Sequence, residues 1–288
     1  MFKNILIPIS SEFYNKEVLE RSAFLAEKFK SKINIIYIIE EKTLIQTDKL
    51  SDAYRTDYDI KKTKREIIRE QMLAANGIIF EDAKLFFKNR QVPFEEKIIE
   101  GQYSNIIKNE IKNNKYDLIL MAFEKACLLN YRLLDEIDIQ IPIWAVSDIK
   151  GESAILAVCS NLAPNKKVPN ISLELSKQLG WKLHMLYVID VEGSVKVYEK
   201  PERSMKKSET ELMKHGEIFA NQMEKRGIQV KIIKGNIEKE MLKTADELKT
   251  KLIIIGRQQK KKGLLGFPMK NMKKRLAEKC KHSILFVN

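Results

Sequence analysis

Ten short apolar runs alternate with amphipathic segments along the chain. These runs predict strands near residues 3–9, 33–39, 95–100, 117–122, 141–146, 153–159, 183–189, 228–233, 252–256 and 283–287. Continuous β-branched runs are typical of parallel strands that are buried on both faces and connected by helices. The pattern therefore predicts doubly wound α/β domains with parallel sheets, each with the order β-α-β-α-β-α-β-α-β.

Two of the intervening segments have a clear helical period. Before the second strand, Val18, Ser22, Leu25 and Phe29 recur at three- to four-residue spacing. Between the second and third strands, residues 58–89 carry a longer apolar stripe, which we expect to cover the sheet. The stripe consists of Ile68, Met72, Ala75, Ile79, Ala83 and Phe86.

The second half of the chain repeats the first. Ungapped registers at offsets of 150, 134 and 141 residues place 5–40 over 155–190, 97–122 over 231–256, and 142–146 over 283–287. Three registers in the same order indicate an internal duplication. The second copy is 16 residues shorter between its second and third strands, and 7 residues longer between its fourth and fifth. That longer stretch is a loop rich in glycine and lysine, which the first copy lacks.

The length and composition agree with two soluble domains, which we place at residues 1–148 and 152–288 on either side of a polar stretch. The chain has 288 residues, 44% of them hydrophobic, enough for two buried cores. No apolar run reaches the length of a membrane span, and the first residues read as a strand and not as a signal peptide. The three widely spaced cysteines suit a reducing compartment, so we expect a cytoplasmic protein.

Positive charge is concentrated near the end of the chain. Between Lys249 and Lys281 there are 12 Lys and Arg and one acid, Glu278, which gives this stretch +11 of the whole chain's +13. Such a patch attracts phosphate groups. The basic patch comprises Arg257, Lys260, Lys261, Lys262, Lys270, Lys273, Lys274 and Arg275. Three interpretations stay open: nucleic-acid binding, an acidic protein partner, or simple solubility.

Several segments resemble the universal stress protein family. They are the opening strand 2–9, the glycine-ended third strand, the strand 117–121 and the closing strand 141–146. The resemblance covers essentially the whole chain and is to the tandem two-domain members of the family. It implies two domains of adenine-nucleotide α-hydrolase type, packed as an internal pseudo-dimer, and a role in stress response.

The resemblance also locates a nucleotide site, from which this sequence departs. Family members that bind ATP have an Asp after the first strand, where this chain has Ser10 and Ser160. Their phosphate loop reads Gly, two residues, Gly, nine residues, then Gly-Ser or Gly-Thr. Gly256 matches the first glycine, but Gln259 replaces the second, and Met269, Lys270 and Asn271 stand around the third. The first copy has no such loop, so no nucleotide is expected there.

Two interpretations of the second-copy loop follow from this comparison. In one, the loop binds ATP or AMP, with Ser160 and Val188 near the base and the phosphates near Gly256, Gly263, Gly266 and Asn271. In the other, it is a relic with a solvated run of charge. Backbone amides approach a phosphate most closely where no Cβ intervenes, so the missing glycines weigh against a working site.

The sequence offers no clear catalytic or metal-binding set. None of His184, His215 and His282 has a Cys, His or acidic partner at ligand spacing, so no metal is expected. No nucleophile and base pair is indicated. We therefore expect a non-enzymatic binding protein, with a protein or a small phosphate-containing ligand as partner and nucleic acid as the less favoured candidate. No membrane association is expected, and the chain is predicted to be a monomer or a homodimer.

Overall fold

The computed structural model divides the chain into two compact units, one within residues 2–141 and one from Pro142 to Asn288. The structure describes residues 1–10, 15–40, 57–122, 134, 139–147, 151–161, 165–191, 208–257, 276 and 280–288.

The described part of the first unit is a parallel sheet with flanking helices. Its strands are β1 (Asn4–Ser10), β2 (Lys32–Glu40), β3 (Phe94–Gly101) and β4 (Leu118–Ala122). Its helices are α1 (Lys16–Phe29), α2 (Asp57–Ala74), α3 (Glu81–Lys88) and α4 (Tyr103–Asn113), with a π-helix, Ala75–Phe80, between α2 and α3. The strand order is β3-β2-β1-β4, with every pair parallel.

The second unit repeats this pattern. Its strands are β5 (Ile143–Val146), β6 (Glu152–Ser160), β7 (Lys182–Ile189), β8 (Val230–Lys234), β9 (Thr250–Gly256) and β10 (Ser283–Val287). Its helices are α5 (Lys167–Leu179), α6 (Glu209–Glu224) and α7 (Ile237–Glu247). The strand order is β5-β10-β9-β6-β7-β8. The ten predicted strands and the α/β class are thus confirmed.

One strand departs from the simple repeat. By sequence, β5 is the fifth strand of the first copy, yet it belongs to the second unit. It pairs with β10 antiparallel, with Trp144 opposite Leu285, whereas the other strand pairs of this unit are parallel. The last strand of each copy therefore lies in the same sheet.

Side-chain caps fix the starts of several helices. Asn15 accepts a hydrogen bond from the Glu17 backbone N at the start of α1 (2.7 Å), and Asn236 does the same for α7. Ser208 and Glu211 form a reciprocal capping box at the start of α6. Each such cap contributes about 1 kcal/mol by satisfying backbone donors that the helix itself leaves unpaired.

The segment between β2 and β3 differs from the predicted regular stripe. The central members of the stripe are buried, namely Ala75, Ile79 and Ala83. Beyond them the prediction is wrong: Phe87, not Phe86, is fully buried, and Met72 is exposed. The π-helix accounts for the change from Phe86 to Phe87, because each of its turns contains an additional residue and rotates the following residues relative to an α-helix.

Gly101, the last residue of β3, and Gly235, directly after β8, both have a φ in the left-handed region, 143° and 149°. Residues with a Cβ rarely adopt this conformation. A Cβ on Gly235 would also lie 2.9 Å from Cγ of Glu240. The two glycines turn the chain from β3 into α4 and from β8 into α7, and so place both helix N-termini at the carboxyl edge of a sheet.

Candidate functional site

Three of the predicted nucleotide-binding residues lie together at the carboxyl edge of the second unit. Ser160 ends β6 and pairs in register with Val188 of β7, and both are buried. Gly256 ends β9, the strand next to β6 on the other side. Ligands of doubly wound sheets bind at this edge. The remaining predicted residues, Gly263, Gly266 and Asn271, lie outside the described residues.

The side chain of Asn165 occupies the space over Gly256. A Cβ on Gly256 would lie 2.8 Å from Cβ of Asn165 and 3.0 Å from its Nδ2. The Asn165 amide donates from Nδ2 to the Val287 carbonyl (3.1 Å), and its Oδ1 accepts from the Lys167 backbone N (2.9 Å). Asn165 thus joins the end of β10 to the start of α5. The glycine is required here by a close protein contact, whether or not a ligand binds.

Arg257, assigned by sequence to the basic patch, is buried instead of solvated. It is 3% exposed, and its Nε donates to Oδ1 of Asn288 at 2.6 Å. Its backbone N donates to the Val287 carbonyl at 2.5 Å. This arginine therefore ties the ends of β9 and β10 together. The other predicted members of the patch lie outside the described residues: Lys260, Lys261, Lys262, Lys270, Lys273, Lys274 and Arg275.

A buried carboxylate that sequence reasoning missed lies at the same edge. Asp190, directly after β7, is 2% exposed, and its Oδ2 accepts from the Ile237 backbone N at the start of α7 (3.1 Å). Its own backbone N donates to Oδ1 of Asn161 at 2.8 Å, and Nδ2 of Asn161 donates back to its carbonyl at 3.1 Å. A carboxylate at a helix N-terminus is favoured by the helix dipole.

The first unit uses the same arrangement. Glu40, at the end of β2, is 1% exposed, and its Oε1 accepts from the Tyr103 backbone N at the start of α4 (2.9 Å). The sequence alignment already places Glu40 over Asp190 and Tyr103 over Ile237. The presence of an acid at both aligned positions was the sequence signal from which these two helix-capping carboxylates could have been predicted.

The described part of the carboxyl edge of the first unit contains a small cleft. This cleft between the ends of β1 and β4 is bordered by Asn15 and Tyr103 and has a volume of about 20 Å³. That is room for about one water molecule. Ser10 lies in this cleft, at the position where the family resemblance implied an Asp.

The sequence matches the model of the universal stress protein family at residues 1–136 and again at residues 155–288. The chain belongs to the universal stress protein family. The two matches correspond to the two copies of the duplication, so this is a tandem member. No curated protein matches the sequence.

Solved structures share the fold of this universal stress protein over nearly its whole length. A universal stress protein from Archaeoglobus fulgidus has 14% identity and a TM-score of 0.62, over 98% of this chain and 96% of its own. A putative universal stress protein from Pseudomonas aeruginosa has 13% identity and a TM-score of 0.66, over 99% and 93%. A functionally unknown protein from the same species has 13% identity and a TM-score of 0.63, over 99% and 92%. At this identity the likeness concerns the fold alone.

His282, for which the sequence indicated no acidic partner, has one in this universal stress protein. The ring is 5% exposed; its Nε2 lies 2.9 Å from Oδ1 of Asp246, and its Nδ1 lies 2.6 Å from the Thr250 carbonyl oxygen. Each ring nitrogen therefore lies beside an oxygen atom of the protein. Across the described residues, no group of three or more His, Cys, Asp or Glu is placed to hold a metal ion.

No helix in the described part of this universal stress protein is long and apolar enough to cross a bilayer.

The two described cysteines are expected to be unreactive in the native protein. Burial raises the pKa of both Cys159 and Cys280 to about 12, so little thiolate forms at mildly alkaline pH. Iodoacetamide should alkylate them roughly a hundredfold or more slowly than in the denatured chain. Mass spectrometry on a Cys127→Ser variant would follow both sites, with the urea-denatured protein as control. Rapid labelling of either native thiol would contradict the prediction.

Proposed function

We propose that this universal stress protein acts in a cytoplasmic stress response by binding and interaction, and that it catalyses no reaction of its own. The family match over both copies carries this proposal. The duplication and the loss of the glycine and lysine loop from the first copy further suggest that, within the family, the chain is most similar to universal stress protein E.

The geometry at the carboxyl edge supports a role that does not depend on ATP. The side chain of Asn165 fills the space over Gly256, and the Asp190 carboxylate already occupies the N-terminus of α7. A phosphate near either position would compete with a protein group or meet a negative charge. A partner recognised through the protein surface requires neither position to be open.

Analysis of the small molecules carried by the purified protein tests this proposal. The protein would be denatured by heat and the supernatant examined by mass spectrometry, and the native protein would be titrated with millimolar ATP in a calorimeter. The proposal expects no nucleotide, no binding heat and no turnover of ATP. Hydrolysis of ATP that a point change near Gly256 abolishes would overturn it.

The alternative is a switch that binds ATP or AMP in the second unit. Its support is that Ser160, Val188 and Gly256 share one edge of the sheet. It expects the released fraction to contain an adenine nucleotide, or a calorimetric titration that saturates. A nucleotide-free protein with no binding heat would remove this alternative.

A further alternative is binding of nucleic acid or another phosphate ligand through the C-terminal basic patch. Its support is the +11 charge between Lys249 and Lys281. Because such binding releases counterions, the logarithm of the binding constant should fall linearly with the logarithm of the salt concentration. Absence of DNA or RNA retardation at low salt would remove the nucleic-acid form of this alternative.

A further inference from the structure

The segment from α2 through the π-helix to α3 carries most of the exposed large apolar side chains of the described residues. They are Tyr58, Met72, Leu73, Ile78 and Leu85. A concentration of this kind on one element, with charged residues around it, is typical of an interaction surface and not of scattered surface hydrophobes.

Three of these residues share one face of the segment. Leu73 is 63% exposed, Ile78 is 58% exposed and Leu85 is 64% exposed. The five-residue step from Leu73 to Ile78 is about one turn where the backbone is π-helical, and the seven-residue step to Leu85 is about two α-helical turns. The opposite face packs into the unit through Ile79 and Phe80. The π-helix, which disrupts the predicted core stripe, thus aligns an outward apolar face.

We propose that this face binds a second copy of the same chain, with the two helical segments antiparallel about a two-fold axis near Ile79. In that register, two outward-facing residues from different subunits lie opposite each other when their residue numbers sum to 158. Leu73 then faces Leu85 of the partner subunit, and Ile78 lies beside the axis. A two-fold interface requires such self-complementarity, since one patch must match itself in reverse.

The charges around the face fit the same register. Glu70 and Lys88 are both exposed, and the register places Glu70 opposite Lys88 of the partner subunit, twice in the dimer. Glu81 lies near the axis, where its charge is balanced by Lys84 of its own chain, with Nζ 2.9 Å from Oε1. The dimer therefore brings no unbalanced like charges together at its centre.

Gly77 allows the helices to approach closely. It lies beside Ile78, and a Cβ built there would have no atom within 4 Å. The register sets Gly77 against Glu81 of the partner subunit, a position where a side chain would hold the helices apart. Helices that cross at a small residue can pack at the short end of the usual interaxial distance.

The exposed charges of this segment have both signs. Acidic and basic side chains are interspersed with the apolar ones, among them Glu66, Glu70, Glu81, Lys62, Arg69 and Lys88. A face of mixed charge suits a protein partner with the complementary pattern. In the antiparallel register, a second copy of the chain provides such a complement at Glu70 and Lys88.

Analytical ultracentrifugation of the full chain over a range of concentrations tests the proposal. The wild type should reach twice the chain mass of 33.5 kDa. Ile78→Lys places two like charges beside the axis, and it should raise the dimer dissociation constant at least about tenfold. Ile218→Lys is the matched control, because Ile218 is also an exposed isoleucine on a helix but lies on α6. Circular dichroism would show that each variant is folded.

Exchanging the charges of Glu70 and Lys88 tests this particular register, because the exchange leaves the apolar face unchanged. Glu70→Lys should weaken the dimer severalfold, and Glu70→Lys combined with Lys88→Glu should restore it. A wild type that stays monomeric, or a dimer that Ile78→Lys leaves intact, would overturn the proposal. So would a monomer that co-sediments with phosphatidylserine vesicles, since the face would then serve a lipid surface.

Discussion

Gly256→Ala is expected to lower the free energy of unfolding by about 2 kcal/mol, with no ligand present. The new methyl group would lie 2.8 Å from Cβ of Asn165, which is too close for either residue to remain in place. Cβ of Asn165 is fixed to the backbone at the start of α5, so the contact is not relieved by rotating the end of a flexible side chain. Urea denaturation followed by circular dichroism would measure the loss.

A double-mutant cycle with Asn165→Gly identifies the cause, because glycine removes the Cβ that the new methyl group would meet. Asn165→Gly alone should cost at least about 1 kcal/mol, because it also removes the bonds to the Val287 carbonyl and to the first amides of α5. If the clash is the cause, Gly256→Ala should cost less in the Asn165→Gly background by about 1 kcal/mol or more. A Gly256→Ala variant of unchanged stability that had lost nucleotide binding would instead assign the glycine to a ligand.

Gly256 shows how far the sequence predicts this edge. The apolar run of β9 ends at a glycine, and that pattern correctly places Gly256 at the carboxyl edge beside Ser160. The sequence could not predict that Asn165 would cover it, since the two are 91 positions apart and only folding brings them together. The duplication held a partial signal, because its first register places Asn15, the cap of α1, over Asn165.

The segment between β2 and β3 shows the opposite case. Its apolar spacing predicted one regular stripe, and the residues from Ala75 to Ala83 follow it. A π-helix has no distinct apolar period in a short sequence, so the change of face after Phe80 was not predictable. The antiparallel pairing of β5 with β10 was also not predictable, because the apolar pattern of a buried four-residue strand does not indicate the direction of its neighbour.

Asp190→Ala is expected to destabilise the second unit by about 2–3 kcal/mol, and Glu40→Ala should destabilise the first unit by a similar amount. Each change removes a buried carboxylate that accepts from the first amide of a helix, at 3.1 Å in α7 and 2.9 Å in α4. That amide would then be buried without its partner, and the favourable charge at the helix N-terminus would be lost.

Two probes distinguish the units in this experiment. Both tryptophans, Trp144 and Trp181, lie in the second unit, so their emission during urea denaturation reports the unfolding of that unit. Asp190→Ala should shift the fluorescence transition to lower urea, and Glu40→Ala should shift a transition that circular dichroism detects.

Asp190→Asn and Glu40→Gln are the matched controls, because each keeps an oxygen acceptor but removes the charge. They should retain most of the hydrogen bond and lose about 1 kcal/mol. Alanine variants as stable as the wild type would show that the two carboxylates are not essential caps. If the alanine and amide variants lost equal stability, charge and not the hydrogen bond would be the dominant contribution. We expect the alanine variants to be clearly less stable than the amide variants in both units. That result would mean that both copies kept the same helix cap after the duplication, although one copy lost its loop.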